Sequence, residues 1–338
     1  MVARLRLALV GAGLIGRRHA AHIQADHGQV LSAVVDPAAE AQAWAEGHGA
    51  AWHPTLEDML SGPPPDGAIL ATPNALHVPQ ALALVAAGIP VLVEKSIGDS
   101  VEAAERLVAA AAAKGVPLLV GHHRRHNPII AAAKQAIDDG HLGSLTAIHA
   151  TCWLAKPPGY FETPWRRQPG AGPVLINLIH DIDLLRHLCG DITDVQAMAS
   201  NAVRGHPVEE TATALLRFAN GALGTLTVSD TVAAPWSWEF TSGENPAYTR
   251  TAESCYLIGG TEASLSLPDL RLWRHDGTPD WWRPLHAESL TAAEADPLAR
   301  QLRHFAEVIQ GRATPLVSGQ DGLEALRVVA RIHQASRA

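Results

Sequence analysis

The stretch of sequence that decides the fold reads LRLALVGAGLIG, residues 5–16. Its first half, Leu5–Val10, is a short apolar run typical of a buried strand. Its second half, Gly11–Gly16, has the spacing Gly-x-Gly-x-x-Gly and opens a helical segment. In that context the glycines allow a tight turn, a close approach of the backbone to a pyrophosphate, and close packing of helix on strand. We expect five residues of this turn to contact a dinucleotide: Gly11, Gly13, Leu14, Ile15 and Gly16.

An acidic residue, Asp36, lies 20 positions after Gly16, at the end of the second apolar run, Val30–Val35. A carboxylate there accepts hydrogen bonds from ribose hydroxyls and repels a 2′-phosphate. The pattern therefore predicts NAD as the cofactor and disfavours NADP. The competing interpretation is a glycine-rich turn that binds no ligand, and the complete fingerprint argues against it.

Composition limits the other function classes. The 338 residues suit about two domains, and 47% hydrophobic with 18% charged residues is typical of a globular protein. A net charge of −8 argues against nucleic acid or an anionic membrane surface as partner. No apolar run reaches the roughly 18 residues of a membrane span. Three dispersed cysteines without a CxxC pair indicate a reducing, cytoplasmic location.

The order of elements predicts two domains. Up to about residue 122, short apolar runs alternate with helical segments, which indicates a doubly wound parallel sheet, the Rossmann fold. From residue 123 to 338, alternating segments such as Thr211–Phe218 and Ala263–Leu267 indicate a mainly antiparallel sheet. We therefore predict a class α/β chain with domains 1–122 and 123–338. The last helical segment, Gly319–Ser336, could pack back on the first domain.

Four further blocks carry a family resemblance. They are ATPNALH at 71–77 with VLVEKS at 91–96, GHHRRHNP at 121–128, the segment 165–183 with its WR, GAG and HDID motifs, and PLVSG at 315–319. In order and spacing they resemble the Gfo/Idh/MocA family of sugar and polyol oxidoreductases. The resemblance implies a Rossmann domain joined to an α/β domain with an open antiparallel sheet. It also implies further cofactor-binding residues: Thr72, Pro73, Asn74, His77, Glu94, Lys95, Trp165 and Arg166.

Lys95 is the first predicted catalytic residue. It ends an apolar strand at the carboxyl edge of the predicted sheet, where open α/β sheets bind ligands. An ammonium there can donate a hydrogen bond to a substrate oxygen and polarise it. Without the resemblance, a lysine that simply reaches solvent would be the simpler interpretation.

His180 is the second predicted catalytic residue. It lies on the predicted helix Val174–Leu188, and the resemblance implies that the matching histidine is the general base. Asn177 shares its helical face at i−3 and is expected to bind the substrate. The simpler interpretation is a buried histidine with a structural role.

The histidine-rich segment 121–128 allows two interpretations. His122 and His126 have i, i+4 spacing, but no carboxylate or cysteine lies nearby, so we predict no metal site. We expect His123 and Arg124 to face the nicotinamide and the substrate instead.

Two positions depart from the family pattern. Ile176 stands where the family has a carboxylate four residues before the histidine, and Asn177 is the polar candidate to replace it. An amide orients a hydroxyl but cannot share a proton, which argues against a Lys–Asp–His relay in its usual form. Ser96 replaces a proline and should alter the loop after Lys95 rather than the chemistry.

The leading hypothesis is an NAD-dependent dehydrogenase for a secondary alcohol of a sugar, inositol or related polyol. NAD-dependent glycoside cleavage on the same fold and a non-catalytic, NAD-sensing regulatory subunit are the alternatives. We expect a homodimer or homotetramer that associates through the C-terminal sheet. Trp236 and Trp238 suit either a polyol pocket or that interface.

Overall fold

The computed structural model of the protein describes residues Arg4–Arg337. The chain forms two compact units, and each is described by itself. The first comprises the chain through His126 together with Asp296–Leu326, and the second comprises Asn127–Ala295 with the chain from Arg327 onward. The domain limits 1–122 and 123–338 stay a prediction, and their outermost residues, 1–3 and 338, lie outside the described part.

The strands and helices follow one another along the chain as predicted in outline. In chain order the strands are β1 (Leu5–Val10), β2 (Gln29–Val35), β3 (Ala51–His53), β4 (Gly67–Leu70), β5 (Val91–Val93), β6 (Leu118–Val120), β7 (Leu145–Trp153), β8 (Ile192–Ser200), β9 (Thr211–Phe218), β10 (Leu223–Ser229), β11 (Tyr256–Gly260), β12 (Ala263–Leu267), β13 (Arg271–His275) and β14 (Leu285–Ser289). The α-helices are α1 (Leu14–Ala25), α2 (Ala39–Gly47), α3 (Leu56–Leu60), α4 (Asn74–Ala86), α5 (Val101–Lys114), α6 (Pro128–Asp138), α7 (Ile179–Cys189), α8 (Trp238–Thr241), α9 (Pro297–Ile309) and α10 (Gly319–Ala335).

The first unit contains a parallel sheet with strand order β3-β2-β1-β4-β5-β6. Every pairing in it is parallel. The chain builds the sheet outward from β1 in both directions, so the order reverses between β1 and β4. Ligands of such sheets bind in the crevice at the carboxyl ends of the strands beside this reversal. The Rossmann fold predicted from the sequence is confirmed.

Helix α9 belongs to the core of the first unit although it is distant in sequence. Its apolar residues Leu302, Phe305 and Val308 are buried in one cluster with Leu7 and Ile69 of the sheet. Asp296 is the N-cap of the helix, and its carboxylate accepts the amide N–H groups of Leu298 and Ala299 in the first turn. A late segment of the chain therefore covers the sheet that the first segment begins.

The second unit contains a mixed, mainly antiparallel sheet with strand order β14-β13-β12-β11-β7-β10-β9-β8. Only β10 and β7 pair in parallel within the described sheet. Helix α7 packs on β7, and α6 packs on α7 and β12. The opposite face carries half-exposed leucines, among them Leu215 and Leu223. The predicted open, mainly antiparallel sheet is confirmed.

Two strands and two helices were not predicted: β3, β14, α3 and α8. Strand β3 and the two helices are short, and β14 is an exposed edge strand, so their sequences show no apolar periodicity. The prediction of one α-helix over Val174–Leu188 is wrong at its start, because Val174–Leu178 forms a π-helical turn before α7. Such a turn holds one residue more than an α-helical turn and often occurs at functional sites.

None of the helices within Arg4–Arg337 combines the length and apolar character that crossing a membrane requires.

Phe305→Ala tests whether α9 stabilises the first unit. The phenylalanine side chain is fully buried, so its truncation leaves a cavity and should lower the free energy of unfolding by about 3–5 kcal/mol. Urea unfolding followed by circular dichroism measures the change. Trp281→Ala, which removes an exposed ring, is the control and should change stability by less than about 0.5 kcal/mol. A Phe305→Ala variant as stable as the control would show that α9 is not part of this core.

Candidate functional site

The glycine turn after β1 is shaped by close contacts between backbone segments. Gly11 has φ +95°, and a Cβ atom there would lie 2.7 Å from the carbonyl oxygen of Ala71. A Cβ on Gly16 would lie 2.0 Å from the carbonyl oxygen of Gly11. Both positions therefore require glycine, and α1 begins directly against the ends of β1 and β4.

The start of α1 has the properties of an anion site. Gly13 is its N-cap, and no side chain of the described residues caps the helix there. A Cβ on Gly13 would meet nothing within 4 Å, Leu14 is 89% exposed, and Ile15 is half-buried. Open space in front of uncapped amide N–H groups at a helix N-terminus fits the pyrophosphate of a dinucleotide.

Asp36 links the second strand to the glycine turn. Its Oδ2 atom accepts the amide N–H of Ala12 at 2.7 Å, and Oδ1 accepts that of Ala38 at 2.9 Å. Each carboxylate oxygen retains a second acceptor site. The half-buried side chain therefore holds the turn and can still accept hydrogen bonds from ribose hydroxyls.

The loop after β4 carries Thr72, Pro73 and Asn74. The Thr72 hydroxyl donates to Oε1 of Gln80 at 2.7 Å, Pro73 is the exposed N-cap of α4, and Asn74 is the first residue of that helix. His77, one turn further, is completely buried. These residues lie at the carboxyl end of β4, next to the glycine turn that Ala71 contacts.

His77 joins two loops at this edge of the sheet. Its Nε2 atom is 2.7 Å from the carbonyl oxygen of Thr72, and its Nδ1 atom is 2.7 Å from that of Ser96. A carbonyl oxygen only accepts, so both bonds form together when both ring nitrogens carry a proton. His77 is predicted to bind the cofactor, and the observed bonds also make it a clamp between the loops after β4 and β5.

Glu94 and Lys95 follow β5 directly. Glu94 is 8% exposed; its Oε1 atom lies 2.8 Å from Nε2 of His19, and its Oε2 atom accepts the backbone N–H of Lys95 at 3.2 Å. Burial raises the pKa of Glu94, but the hydrogen bond from His19 and the charges of His19, His123 and Lys95 outweigh it and lower the pKa to about 2. Glu94 is therefore ionised, and Lys95 next to it is half-buried.

The segment after β6 forms a 3₁₀ turn over His123–His126. Arg124 is buried and His123 is half-buried. Arg125 fixes the turn, because its guanidinium donates to the carbonyl oxygen of Leu316 and to Asp321, both at 3.2 Å. The predicted roles of His123 and Arg124 toward nicotinamide and substrate stay predictions.

The histidines of this segment are packed against other basic groups. Burial, together with the charges of neighbouring basic groups, lowers the pKa of His126 to about 3; these groups are His304, His123, Arg300 and Arg125. His126 is therefore neutral near pH 7. Within Arg4–Arg337, no group of three or more His, Cys, Asp or Glu side chains is arranged to hold a metal ion.

In the second unit, α7 carries His180, which is largely buried. The preceding π-helical turn carries Asn177, whose Oδ1 atom is buried and has no hydrogen-bond partner among the described residues. A buried acceptor without a partner carries a free-energy penalty that a ligand hydroxyl can remove. Next to His180, Asp181 is fully buried and accepts a short hydrogen bond from the Tyr256 hydroxyl.

Trp165 and Arg166 form the segment that resembles the family's WR motif. Trp165 is 53% exposed. Arg166 is half-buried; its guanidinium lies 4.0 Å from the centre of the Tyr160 ring and donates to the Tyr160 carbonyl oxygen at 3.1 Å. Both residues belong to the second unit, and their predicted contact with the cofactor stays a prediction.

The predicted residues thus fall into two groups. The first unit brings the glycine turn, Asp36, the loop from Thr72 to His77, and Glu94-Lys95 to the carboxyl edge of one sheet. The second unit places Asn177 and His180 on neighbouring turns of one helical segment. Sequence reasoning missed His19, the partner of Glu94. Its signal was the i+3 spacing from Gly16, which puts it on the face of α1 that packs against the sheet.

Two family models match the chain. Residues 5–122 match the model described as "Oxidoreductase family, NAD-binding Rossmann fold", and residues 130–266 match the "GFO/IDH/MocA C-terminal domain". Together they span most of both units.

Individual relatives agree with the family models. The chain is 28% identical to 1,5-anhydro-D-fructose reductase of Ensifer adhaerens over 95% of its own length and 93% of that protein. It is 33% identical to an inositol 2-dehydrogenase of Arthrobacter sp. (strain FB24) over 61% of each chain. Among solved structures, the WlbA dehydrogenase of Bordetella pertussis in complex with NADH and UDP-GlcNAcA has a TM-score of 0.79 and 26% identity, with 99% of this chain and 97% of that chain covered.

Asp36→Asn tests the discrimination between NADH and NADPH. The amide still offers one oxygen to the Ala12 N–H but loses the negative charge that repels a 2′-phosphate. We expect NADH binding to weaken about tenfold and the preference for NADH over NADPH to fall by at least as much. Titration of cofactor fluorescence with each nucleotide measures both constants. Glu40→Gln, an equal charge change on exposed α2, should change neither, and an unaltered preference in Asp36→Asn would contradict the assignment.

Proposed function

The chain belongs to the Gfo/Idh/MocA family of NAD-binding oxidoreductases, and from that membership we propose that it is a dehydrogenase. The reaction is a hydride transfer between a secondary alcohol of a sugar, inositol or related polyol and the nicotinamide of NAD. The observation that carries the proposal is Lys95, a lysine placed directly after β5 at the carboxyl edge of the NAD-binding sheet. The names of the anhydrofructose reductase and inositol dehydrogenase relatives support the substrate class.

Lys95 polarises the substrate oxygen in this proposal. Its ammonium donates a hydrogen bond to the oxygen on the reacting carbon and stabilises the negative charge that develops there as the hydroxyl proton leaves. When bound, NAD⁺ supplies the hydride acceptor. The reaction class is therefore that of dehydrogenases acting on CH–OH groups.

His180 is the general base. Its imidazole takes the hydroxyl proton while the carbon loses its hydride, a role that suits a side chain whose unperturbed pKa is near neutrality. Asn177 orients a substrate hydroxyl, which donates to the buried Oδ1 atom that has no hydrogen-bond partner within Arg4–Arg337. His123 and Arg124 bind the substrate beside the nicotinamide, and Trp165 and Arg166 cover the cofactor.

A panel of sugars, inositols and related polyols, offered with NAD⁺ and separately with NADP⁺, tests the function. We expect NADH formation, seen by absorbance, with at least one member of the panel. Lys95→Met and His180→Asn should each lower kcat by about 10²–10⁴-fold. NADH binding of His180→Asn, whose histidine is not among the predicted cofactor-binding residues, should stay within about twofold. Glu40→Gln is the control for general damage.

Two other outcomes of the panel would favour glycoside cleavage or a regulatory role over the proposed dehydrogenase. Net hydrolysis of a glycoside without accumulation of NADH would indicate internal hydride chemistry. Tight NADH binding with no turnover on any substrate would favour a regulatory subunit, an outcome to which Ile176 at the usual carboxylate position points. Full activity of Lys95→Met would refute the catalytic assignment.

The open face of the second unit's sheet is the proposed surface for association of two copies. Its strands line a hollow of about 740 Å³, and the half-exposed Leu215, Leu223 and Leu257 are among its lining residues. Asp194 and Arg217 line the same hollow. An apolar surface that carries charges of both signs can pair with a second copy of itself under two-fold symmetry.

Leu215→Arg tests this surface. Burying an unpaired guanidinium between two copies is unfavourable, so the variant should sediment as a monomer at concentrations where the parent chain is a dimer or tetramer. Analytical ultracentrifugation measures the distribution. Leu76→Arg, at a comparably exposed leucine of α4, should associate like the parent. Equal sedimentation of Leu215→Arg and the parent oligomer would exclude this face as the interface.

A further inference from the structure

We propose that His19 is a positioning residue for Lys95, which it controls through the carboxylate of Glu94. The inference rests on the proposed function, since it gives the proposed catalytic lysine its orientation. His19 lies on α1, in a part of the chain that the function does not otherwise use.

The contacts form a short chain across the first unit. Nε2 of His19 lies 2.8 Å from Oε1 of Glu94, and the other carboxylate oxygen accepts the backbone N–H of Lys95 at 3.2 Å. The carboxylate thus holds the peptide group from which the lysine side chain starts. Rotation of the Glu94 side chain would release that peptide.

The residues around the Glu94 carboxylate are closely packed. His19 is completely buried, and a Cβ atom on Gly121 of the next strand end would lie 2.9 Å from Oε2 of Glu94. Any residue but glycine at position 121 would displace the carboxylate. Gly121 therefore leaves the space that the carboxylate occupies, and His19 is the side chain that bonds to it there.

The hydrogen-bond pattern also defines the proton on His19. Its Nδ1 atom is buried with no hydrogen-bond partner among the described residues, so a proton there would be unsatisfied. Nε2 is consequently the nitrogen that donates to Glu94. Loss of this donor leaves a buried carboxylate with the Lys95 amide and nearby charges as its remaining support, and burial then raises its pKa.

His77 holds the other side of the same residue. It bonds to the carbonyl oxygen of Ser96, so the residues before and after Lys95 are each fixed by a buried histidine. His19 differs from His77 in that it acts through a charged side chain. Because Glu94 can be protonated, the effect of His19 on activity should depend on pH, whereas simple packing of a loop should not.

His19→Gln and His19→Asn form the matched pair that tests the proposal. The Gln amide reaches about as far as Nε2 and keeps a donor toward Glu94, whereas the Asn amide is too short. We expect His19→Asn to lower kcat about tenfold or more, because small misplacements of a catalytic group are costly, and His19→Gln to stay within about threefold of the parent. NADH affinity should remain within about twofold in both variants.

The dependence of kcat/KM on pH is the second measurement, because a purely structural role of His19 would leave it unchanged. In the parent, protonation of the proposed base His180 sets the acid limb of kcat/KM, because Glu94 stays ionised through that range. In His19→Asn, protonation of Glu94 should add to this limb, so the limb should steepen and move up by about one pH unit. His22→Asn, one turn along α1 and paired with Asp296 at 3.4 Å, is the control and should retain the parent profile.

The outcomes separate this proposal from the proposed function. A parent chain that binds NADH but oxidises no polyol refutes the function. An active parent with equal kcat in His19→Asn, or with equal losses in His19→Gln and His19→Asn, overturns the positioning role. A loss of NADH affinity that parallels the loss of kcat overturns it as well, since Glu94 would then act on the cofactor. If His19→Asn does not fold, His19→Leu takes its place against His19→Gln.

Discussion

The contact of α1 with the ends of β1 and β4 is the constraint on which the first unit depends. The Cα of Gly16 lies so close to the carbonyl oxygen of Gly11 that a Cβ would approach it to 2.0 Å. This closeness sets where the helix begins, which in turn leaves its first amide groups facing open space. It also sets where His19 enters the core, one turn later, within 2.8 Å of Glu94. The glycine turn thus determines both the anion site and the support of Lys95.

Sequence reasoning could predict those parts of the fold that depend on local pattern. Strand β1 was predicted to the residue, because a short apolar run that ends at a glycine turn is a local signal. Strand β14 has every residue exposed, so no periodicity marks it. The placement of α9 in the first unit depends on burial of Phe305 near β1 and β4. These contacts join segments more than 200 residues apart in the chain, and no local pattern encodes them.

The candidate site divides in the same way. Motif spacing located the cofactor-binding turn, Asp36 and Lys95, because each follows a strand end that the pattern reveals. The partners that hold these residues could not be read from spacing. The bond between Asp36 and the Ala12 amide, and that between His77 and the Ser96 carbonyl, join loops whose proximity exists only once the parallel sheet has formed. Sequence motifs therefore identify the residues that are predicted to contact a ligand, and the fold reveals the residues that hold them in place.

Ile176, which stands where the family has a carboxylate, lies in the same π-helical turn as Asn177. The turn over Val174–Leu178 holds an extra residue, and Asn177 within it offers a buried oxygen that no described residue satisfies. An amide oxygen can fix the direction of a hydroxyl but cannot accept its proton. In the proposed function His180 then takes the proton without a carboxylate relay. The proposed polarising residue, Lys95, has a separate support, because its backbone N–H is held by Glu94, which His19 contacts in turn. Under that proposal, loss of the usual carboxylate removes the relay but neither the orienting amide nor the polarising ammonium.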